Sequence, residues 1–490
     1  MVFSEMLSIL LRILFALNLL FGFAIVFLEK KNPSVTWAWL MVLALVPYVG
    51  FLLYLIMGQD CRKRFTFAKK AKRDDAAFAE VLEADIAGLS FMRKQRQSEN
   101  PRQFLGIPNA DYLNELAYMN FVSGHGALTA NNHMSLYHEG NAKFAALLAD
   151  IAQAEKFIHM QYYIMNNDAL GRQVLEALAA KARQGIEVCL LTDGMGSWRT
   201  PMRFYKPLTE AGGHVALFLP PHLARINYRN HRKICVVDGH IGYVGGMNIG
   251  DEYVGRSKRF GFWRDSHIRI EGDATKALEL RFLMDWNDCS AYKLTPNDMH
   301  FPIVPQADGA LTQIVCSGPD TRLSHIYHGY AKMIASATRN VFIQTPYFAP
   351  DENIFEALRI AALSGIDVRI MIPAHPDHFF VYWASLSYLG ELLDVGVRCY
   401  QYEKGFIHSK VLAIDGEAVS VGTANMDVRS FKLNFEVNAF IYDRGITADF
   451  ENAFTEDLTD CFEMTREWYA QRSHFTRIRE SVSRLLSPLL

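Results

Sequence analysis

No two of the seven cysteines stand as a C-x-x-C pair. Cys61, Cys189, Cys235, Cys289, Cys316, Cys399 and Cys461 are scattered, so neither a zinc site nor a disulfide framework is signalled. Thiols that stay reduced fit a cytosolic setting. An excess of charge of one sign is also missing: 50 Lys and Arg stand against 52 Asp and Glu, a formal net charge of −2. That balance excludes a protein that coats nucleic acid through bulk charge. Disorder is excluded too, because charged residues make up only 21% and aromatics reach 12%. The 490 residues exceed what one ordinary core fills, so two or more domains are expected.

What is present is unevenly spread. Half of the chain is hydrophobic, and the first sixty residues are far richer than the rest. Leu7 to Leu28 is apolar except for Arg12, Ser8 and Asn18, and Val35 to Met57 is free of charge throughout. At the helical rise the second run spans about 34 Å, enough for a bilayer core. The first run spans if Arg12 snorkels to the headgroups. Glu29, Lys30, Lys31 and Asn32 follow it in place of a small-residue cleavage site, which argues against a signal peptide. Residues 1–60 therefore read as a two-helix transmembrane hairpin. Arg62, Lys63, Arg64, Lys69, Lys70, Lys72 and Arg73 follow, against only Lys30 and Lys31 in the connector. The positive-inside rule then leaves the remainder of the chain in the cytoplasm. The basic cluster suits anionic headgroups, or a plain solvated helix.

Beyond residue 125 the chain reads twice. A strand-like run from Phe157 to Ile164 precedes Asp168, a helix N-cap candidate. Val174, Leu175 and Leu178 follow at helical spacing, then Gly185 and a strand from Ile186 to Leu191. The second pass has Val341 to Phe348, Asp351, a helix with Ile354, Leu358 and Ala361, Gly365, and a strand from Ile366 to Ile372. Strand–helix–strand units favour neighbouring parallel strands. A segment from Pro296 to Gly309 with three prolines reads as the linker. The expected organisation is a hairpin 1–60, a charged helical linker 61–125, and two α/β/α repeats at 126–305 and 306–490.

Both repeats carry one polar pattern. His231-Arg-Lys233-Ile-Cys-Val-Val-Asp238 and His408-Ser-Lys410-Val-Leu-Ala-Ile-Asp415 are both H-x-K-x-x-x-x-D. Gly245 and Asn248 follow the first, Gly422 and Asn425 the second, and every pair stands at one common offset. On a strand, positions i and i+2 share a face, so each His and Lys project together. Asp238-Gly239 and Asp415-Gly416 start hairpins whose return strands bring Asn248 and Asn425 back toward the lysines. Two such clusters suit a phosphodiester. Lys and Asn hold the non-bridging oxygens, one histidine attacks phosphorus, and the other protonates the leaving alcohol. No metal and no cofactor is needed, because the cationic side chains supply the positive field.

These residues resemble the phospholipase D superfamily, whose signature is this doubled pattern with the downstream Gly and Asn. The runs Gly422 to Phe431 and Leu433 to Asn438 look like the bacterial cardiolipin synthases within it. So do Trp37-Ala-Trp39, Pro47, Gly50 and Tyr54 in the second apolar run, and the segment Arg484 to Leu490. The resemblance implies a bacterial cell-membrane enzyme that transfers a phosphatidyl group from one phosphatidylglycerol to another and releases glycerol. It implies phospholipid partners, a membrane and no nucleic acid. It implies attack by His231 and acid–base work by His408, although the two clusters themselves hold the same groups. Glu436, downstream of His408 in the same repeat, matches the carboxylate that orients a histidine in the superfamily. The same offset from His231 gives Arg259, and Asp265 is the substitute there. Such a carboxylate holds the imidazole tautomer and favours its protonated form. Asp238 and Asp415 belong to the signature but sit at turns, where a structural role competes with a chemical one. A hydrolytic phospholipase would use the same groups. A nuclease fits poorly with the apolar N-terminus and the missing basic excess, and a decayed scaffold fits poorly with two intact clusters.

Lesser features stay ambiguous. Arg225, Arg229 and Arg232 crowd the first motif, as headgroup contacts or as a solvated face. Phe379, Phe380, Tyr382, Trp383, Leu386 and Leu389 form an apolar stretch that reads mostly as core. Ile478, Val482, Leu485 and Leu486 against Arg477, Arg479 and Arg484 suit core packing or a membrane surface, with core packing preferred. His325 and His328, and His375 and His378, lack the carboxylate partners of a metal site.

Overall fold

The computed structural model describes residues 33–46, 60–83, 111–124, 126–219, 227–295 and 309–487, with isolated positions before residue 55. The first apolar run is described only at isolated positions, and the second as a helix over Pro33–Leu45 with Val46, Gly50 and Tyr54 beyond it, while Arg225 and the connector 296–308 lie outside the described residues. Among the described residues no helix is long and apolar enough to cross a membrane. Helix α1 (Asp60–Glu83) follows the N-terminal segment. Its Lys70 does not face headgroups or solvent. The ammonium is buried, 2.6 Å from Asp74, 3.1 Å from Asp285 and 3.3 Å from Asp320. Phe67, one turn earlier, packs edge-on against Tyr228 and Phe435. The helix is thus pinned to the catalytic body by one buried cation and one aromatic ring.

The first repeat runs β1 (Asn132–Glu139), α2 (Gly140–Gln153), β2 (Phe157–Tyr162), α3 (Ala169–Arg183), β3 (Glu187–Asp193), β4 (His214–Phe218), β5 (Ile234–Val237), β6 (Ile241–Gly245), β7 (Phe262–Gly272) and α4 (Ala274–Cys289). The second runs β8 (Leu311–Ser317), α5 (His325–Ser336), β9 (Asn340–Gln344), α6 (Glu352–Leu363), β10 (Asp367–Pro373), α7 (Phe379–Leu393), β11 (Arg398–Tyr402), β12 (Val411–Ile414), β13 (Ala418–Gly422), β14 (Asn434–Tyr442), α8 (Arg444–Asp457) and β15 (Cys461–Met464), followed by α9 (His474–Leu486). The strand orders coincide: β1-β7-β6-β5-β2-β3-β4 in one sheet and β8-β14-β13-β12-β9-β10-β11 in the other, which β15 extends. In both, the strand–helix–strand units make the parallel pairs and the motif strands sit in antiparallel hairpins. Asp168 and Asp351 cap α3 and α6, each accepting from a backbone N–H three residues on.

Alternation along the motif strands builds two cores at once. Cys235 and Val237 face the helices of their own repeat, and Ile234 and Val236 face the other sheet. Leu412 and Ile414 do the former in the second repeat, Val411 and Ala413 the latter. The two sheets therefore meet through Val236, Val244 and Ile268 on one side and Val419, Val421 and Val437 on the other. The seam is tightened by a reciprocal exchange. Residues Arg229–Asn230 pair with the start of β14, and Gly405–Ile407 pair with the start of β7. The chain just ahead of each motif histidine is thus stitched onto β14 or β7, the long strand of the opposite repeat.

Candidate active site

Both motif histidines sit at that exchange. The N–H of His231 donates to the Phe435 carbonyl at 2.9 Å, and the N–H of His408 donates to the Arg264 carbonyl at 2.7 Å. The residue after each acceptor is an acid. His231 Nδ1 lies 3.0 and 3.1 Å from the two oxygens of Glu436. His408 Nδ1 lies 2.7 Å from Asp265 Oδ2. The orienting pairs are therefore crossed. The expectation that Glu436 serves His408 and Asp265 serves His231 is corrected, because β14 and β7 each lie beside the entering segment of the other repeat. Glu436 and Asp265 occupy matching places, but Asp265 follows its own repeat's histidine at a longer interval than Glu436 does. A longer loop with a short helical turn at Asp251–Val254 accounts for the difference.

The lysines complete one shared cluster. Lys233 Nζ donates to the His231 carbonyl at 2.6 Å, and Lys410 Nζ donates to the His408 carbonyl. Both lysines are buried, and each feels Glu436, Asp265 and the charge of its neighbours in the cluster. Burial lowers both ammoniums, Lys410 to about 8 and Lys233 well below its usual value. Burial also drives both imidazoles down, to about 4, with the lysines adding to the push and the carboxylates opposing it. Each carboxylate lies within hydrogen-bond distance of Nδ1, the nitrogen whose proton it can accept. They favour the charged form, but the loss of solvation on burial outweighs them. With Nδ1–H held by the acid, Nε2 is left as the nucleophilic nitrogen of a neutral ring.

The asparagines behave differently from one another. Asn248 accepts from the Ile164 N–H at 3.1 Å and donates to the Tyr253 hydroxyl at 2.7 Å, so both ends of its amide are engaged in holding loops. Asn425 is buried and its Oδ1 has no partner among the described residues, the state of a group waiting for a donor. Asp238 and Asp415 are not brought to the cluster. Each lies about 16 Å along its strand from the motif lysine. Each occupies the left-handed region, φ 52° and 57°, followed by Gly239 at 75° and Gly416 at 64°. Two successive positive φ values make the tight hairpin turn, and Asp is among the few side chains that tolerate them. The Asp238 carboxylate accepts from the N–H groups of Glu155, Lys156 and Phe157. Asp415 accepts from those of Thr338, Arg339 and Asn340. Both acids tie the motif hairpin to the start of β2 or β9.

Other residues at the site carried no assigned role in the sequence. Thr423 Oγ1 donates to Glu436 Oε2 at 2.5 Å, and Asn434 Nδ2 donates to Oε1 at 3.1 Å. Gly246, the counterpart of Thr423, leaves the space that Asp265 fills, since a Cβ there would fall 2.0 Å from Asp265 Oδ1. Asn438 supports the turn by accepting from the N–H groups of Thr423 and Ala424. The polar alternation Asn434, Glu436, Asn438 on a buried strand was the signal for these. Tyr163 lies edge-on to His231 at 5.0 Å, and Trp263 is 5.4 Å from His408. Arg232 is withdrawn from any ligand, because it is buried on Asp285 at 2.6 Å. Arg229 instead donates to the Tyr228 carbonyl at 2.8 Å. Among the described residues one set of metal-type donors converges, His159, Glu187 and Cys189. There both ring nitrogens of His159 are already engaged, by Glu279 at 2.6 Å and Glu187 at 3.0 Å.

Comparison with known proteins agrees with this geometry. The family described as "Cardiolipin synthase, PLD-like domain" matches residues 147–286 and 330–458, and "Phospholipase_D-nuclease N-terminal" matches residues 16–59. The chain is 47% identical to the major cardiolipin synthase ClsA of Bacillus subtilis, over 99% of both chains. It is 45% identical to the cardiolipin synthase of Listeria innocua, over 99% of this chain and 100% of that one. Among solved structures, phosphatidylserine synthase of Haemophilus influenzae shares the fold at 12% identity, with a TM-score of 0.58 over 77% of this chain and 100% of that one. With both repeats matched and relatives aligned from end to end, the chain belongs to the cardiolipin synthase family of phospholipase D-like proteins.

Proposed function

We propose that the protein joins two phosphatidylglycerol molecules into cardiolipin and releases glycerol, through a phosphohistidine. His231 Nε2 attacks phosphorus and the bond to the glycerol oxygen breaks. His408 Nε2–H gives its proton to that oxygen, and glycerol leaves. His408 then takes the proton of a hydroxyl on the second phosphatidylglycerol, whose oxygen attacks phosphorus and breaks the P–N bond. Lys233 and Lys410 neutralise the non-bridging oxygens, and the unpartnered Oδ1 of Asn425 suits a hydroxyl of the headgroup. The bound anion offsets the repulsion that the lysines exert on His408, so that ring gains its proton as substrate binds. The exchange of one phosphodiester for another is nearly isoenergetic, so exclusion of water decides transfer over hydrolysis.

The observation that carries this reading is the crossed pairing, which fixes both Nδ1 atoms and leaves two Nε2 atoms free beside two buried lysines. Attack falls to His231 because the imidazolium it becomes is met by both Glu436 oxygens. Residues 1–60 serve as a two-helix membrane anchor, with repeats at 126–305 and 306–490 on the cytoplasmic side of the bacterial cell membrane. The full chain in vesicles of phosphatidylglycerol labelled in its phosphate is expected to yield cardiolipin with free glycerol, and an acid-labile labelled protein after rapid quench. Ala at His231 is expected to abolish both, and Ala at His408 to abolish turnover. Phosphatidic acid as the main product, or synthesis by the His231→Ala variant, would sink the proposal.

A further inference from the structure

Helix α9 lies on the body with its faces reversed. Its inward side is polar: Glu480, Ser483 and Ser487 are buried against the protein. Glu480 accepts from Arg472 at 3.0 Å, and the Ser487 hydroxyl meets the Tyr388 hydroxyl of α7 at 3.0 Å. Its outward side is apolar. Phe475, Ile478, Val482 and Leu485 recur at the three- and four-residue spacing of one helical stripe and are 77%, 59%, 47% and 80% exposed. A helix that packs on a core in water does the opposite. The preference for core packing of these residues is therefore corrected.

The stripe does not stand alone. Phe379 and Phe380 open the first turn of α7, on which α9 packs, and are 50% and 46% exposed. The guanidinium of Arg479 lies 5.9 Å from the Phe379 ring and 5.6 Å from Trp383, which joins the two helices into one surface. Arg477 and Arg479 are themselves exposed and give the surface a positive rim. The residue two before Phe379 is Asp377, whose carboxylate accepts from the hydroxyl of the half-buried Tyr347 and acts on the charge of Lys410. The apolar surface thus begins two residues from a carboxylate whose charge reaches the motif Lys410.

We infer that α9 and the first turn of α7 form a bilayer-docking face, which inserts its apolar stripe among anionic lipids and holds the entrance of the site against the membrane. An apolar stripe flanked by arginines is the pattern of an in-plane interfacial helix, and a negatively charged leaflet complements Arg477 and Arg479. The polar inward side closes the other route to burying the stripe, because turning the helix over would strip Glu480 of Arg472 and Ser487 of Tyr388. The inference rests on the phosphatidyl-transfer reading only for its consequence, which is access of a two-chain lipid to the site.

The test uses the full chain in vesicles that contain phosphatidylglycerol with a photoreactive diazirine in the acyl chain. Peptides covering 474–486 and 379–383 are expected to carry lipid adducts, and an Ile478→Glu/Leu485→Glu variant to lose them. The same variant is expected to turn over vesicle phosphatidylglycerol about tenfold more slowly, while turnover of a short-chain phosphatidylglycerol dissolved as monomers stays unchanged. An Ile478→Ser/Leu485→Ser variant is expected to fall between. Absence of lipid adducts in both peptides of the unmodified protein would overturn the inference, whether the face is open or covered by a second copy. Equal turnover of vesicles by the charged variant and the parent would overturn it as well. Failure of the parent on both substrates would sink phosphatidyl transfer and leave the adducts to decide the docking face.

Discussion

Two carboxylates set what each motif histidine can do. Glu436 reaches His231 with both oxygens and is itself held by Thr423 and Asn434, whereas Asp265 reaches His408 with one. A shortened or neutral partner keeps the ring in place poorly and loses the charge that stabilises an imidazolium. Glu436→Gln is expected to slow formation of the phosphorylated enzyme by roughly 100-fold or more, with little change in KM. Asp265→Asn is expected to slow protonation of the leaving glycerol by a similar factor, so that a substrate with an acidic leaving alcohol restores the rate. Rapid-quench kinetics with the two alcohols separates the variants. Equal rescue of both by the acidic leaving group would refute the assignment of roles.

At the scale of the element, the motif hairpin explains why the pattern ends in Asp. The two acids act on backbone N–H groups at the start of the neighbouring strand, far from phosphorus. Asp238→Ala is expected to cost about 1–3 kcal/mol of stability, read as a lower melting temperature, with kcat per folded molecule largely kept. A kcat lost without a change in melting would contradict this. The strand–helix–strand units, the capping aspartates and the hairpin turns were all legible in the sequence, because period-2 and period-3.6 alternation and an Asp-Gly pair are local signals. The crossed acids were not, since same-repeat spacing says nothing of which strand a chain segment lies against after the sheets meet. Lys70 and Arg232 were likewise read as surface charge. Their distant partners, Asp285 and Asp320, belong to other elements that only the fold brings alongside. Helix α9 showed its periodicity in sequence, but periodicity gives a stripe without saying which way it points.

For the whole molecule, buried histidines dominate the response to acid. Burial pushes His138, His231 and His408 down to about 4, and His267 well below its ordinary value. The native state keeps these rings neutral between about pH 4 and 6.5, while the unfolded chain protonates them below about 6.5. Unfolding therefore takes up protons in that window, and stability falls as pH drops through it. His159 opposes the trend: burial would lower it, but Glu279 and Glu187 hold it up, so its contribution is present below about 6.5 and fades as pH rises past its folded value. Asp193 and Asp427, which burial raises to about 6, also take up protons in the native state in this window and oppose the trend; four rings outweigh these, and the full chain in detergent is expected to melt at lower temperature at about pH 4.5 than at about pH 7. A melting temperature that is flat across this range would contradict the neutral assignment of His231 and His408.

The crossing of acids between repeats has a consequence for how such a chain can vary. Each half holds one motif histidine and the carboxylate that meets the other half's histidine. Neither half can therefore specialise, decay or be exchanged for a foreign repeat without injuring its neighbour's chemistry. Replacing Asp265 on β7 acts on His408, ahead of β12, and replacing Glu436 on β14 acts on His231, ahead of β5. The two repeats are chemically interdependent, as two subunits of an obligate dimer would be, although one polypeptide carries both.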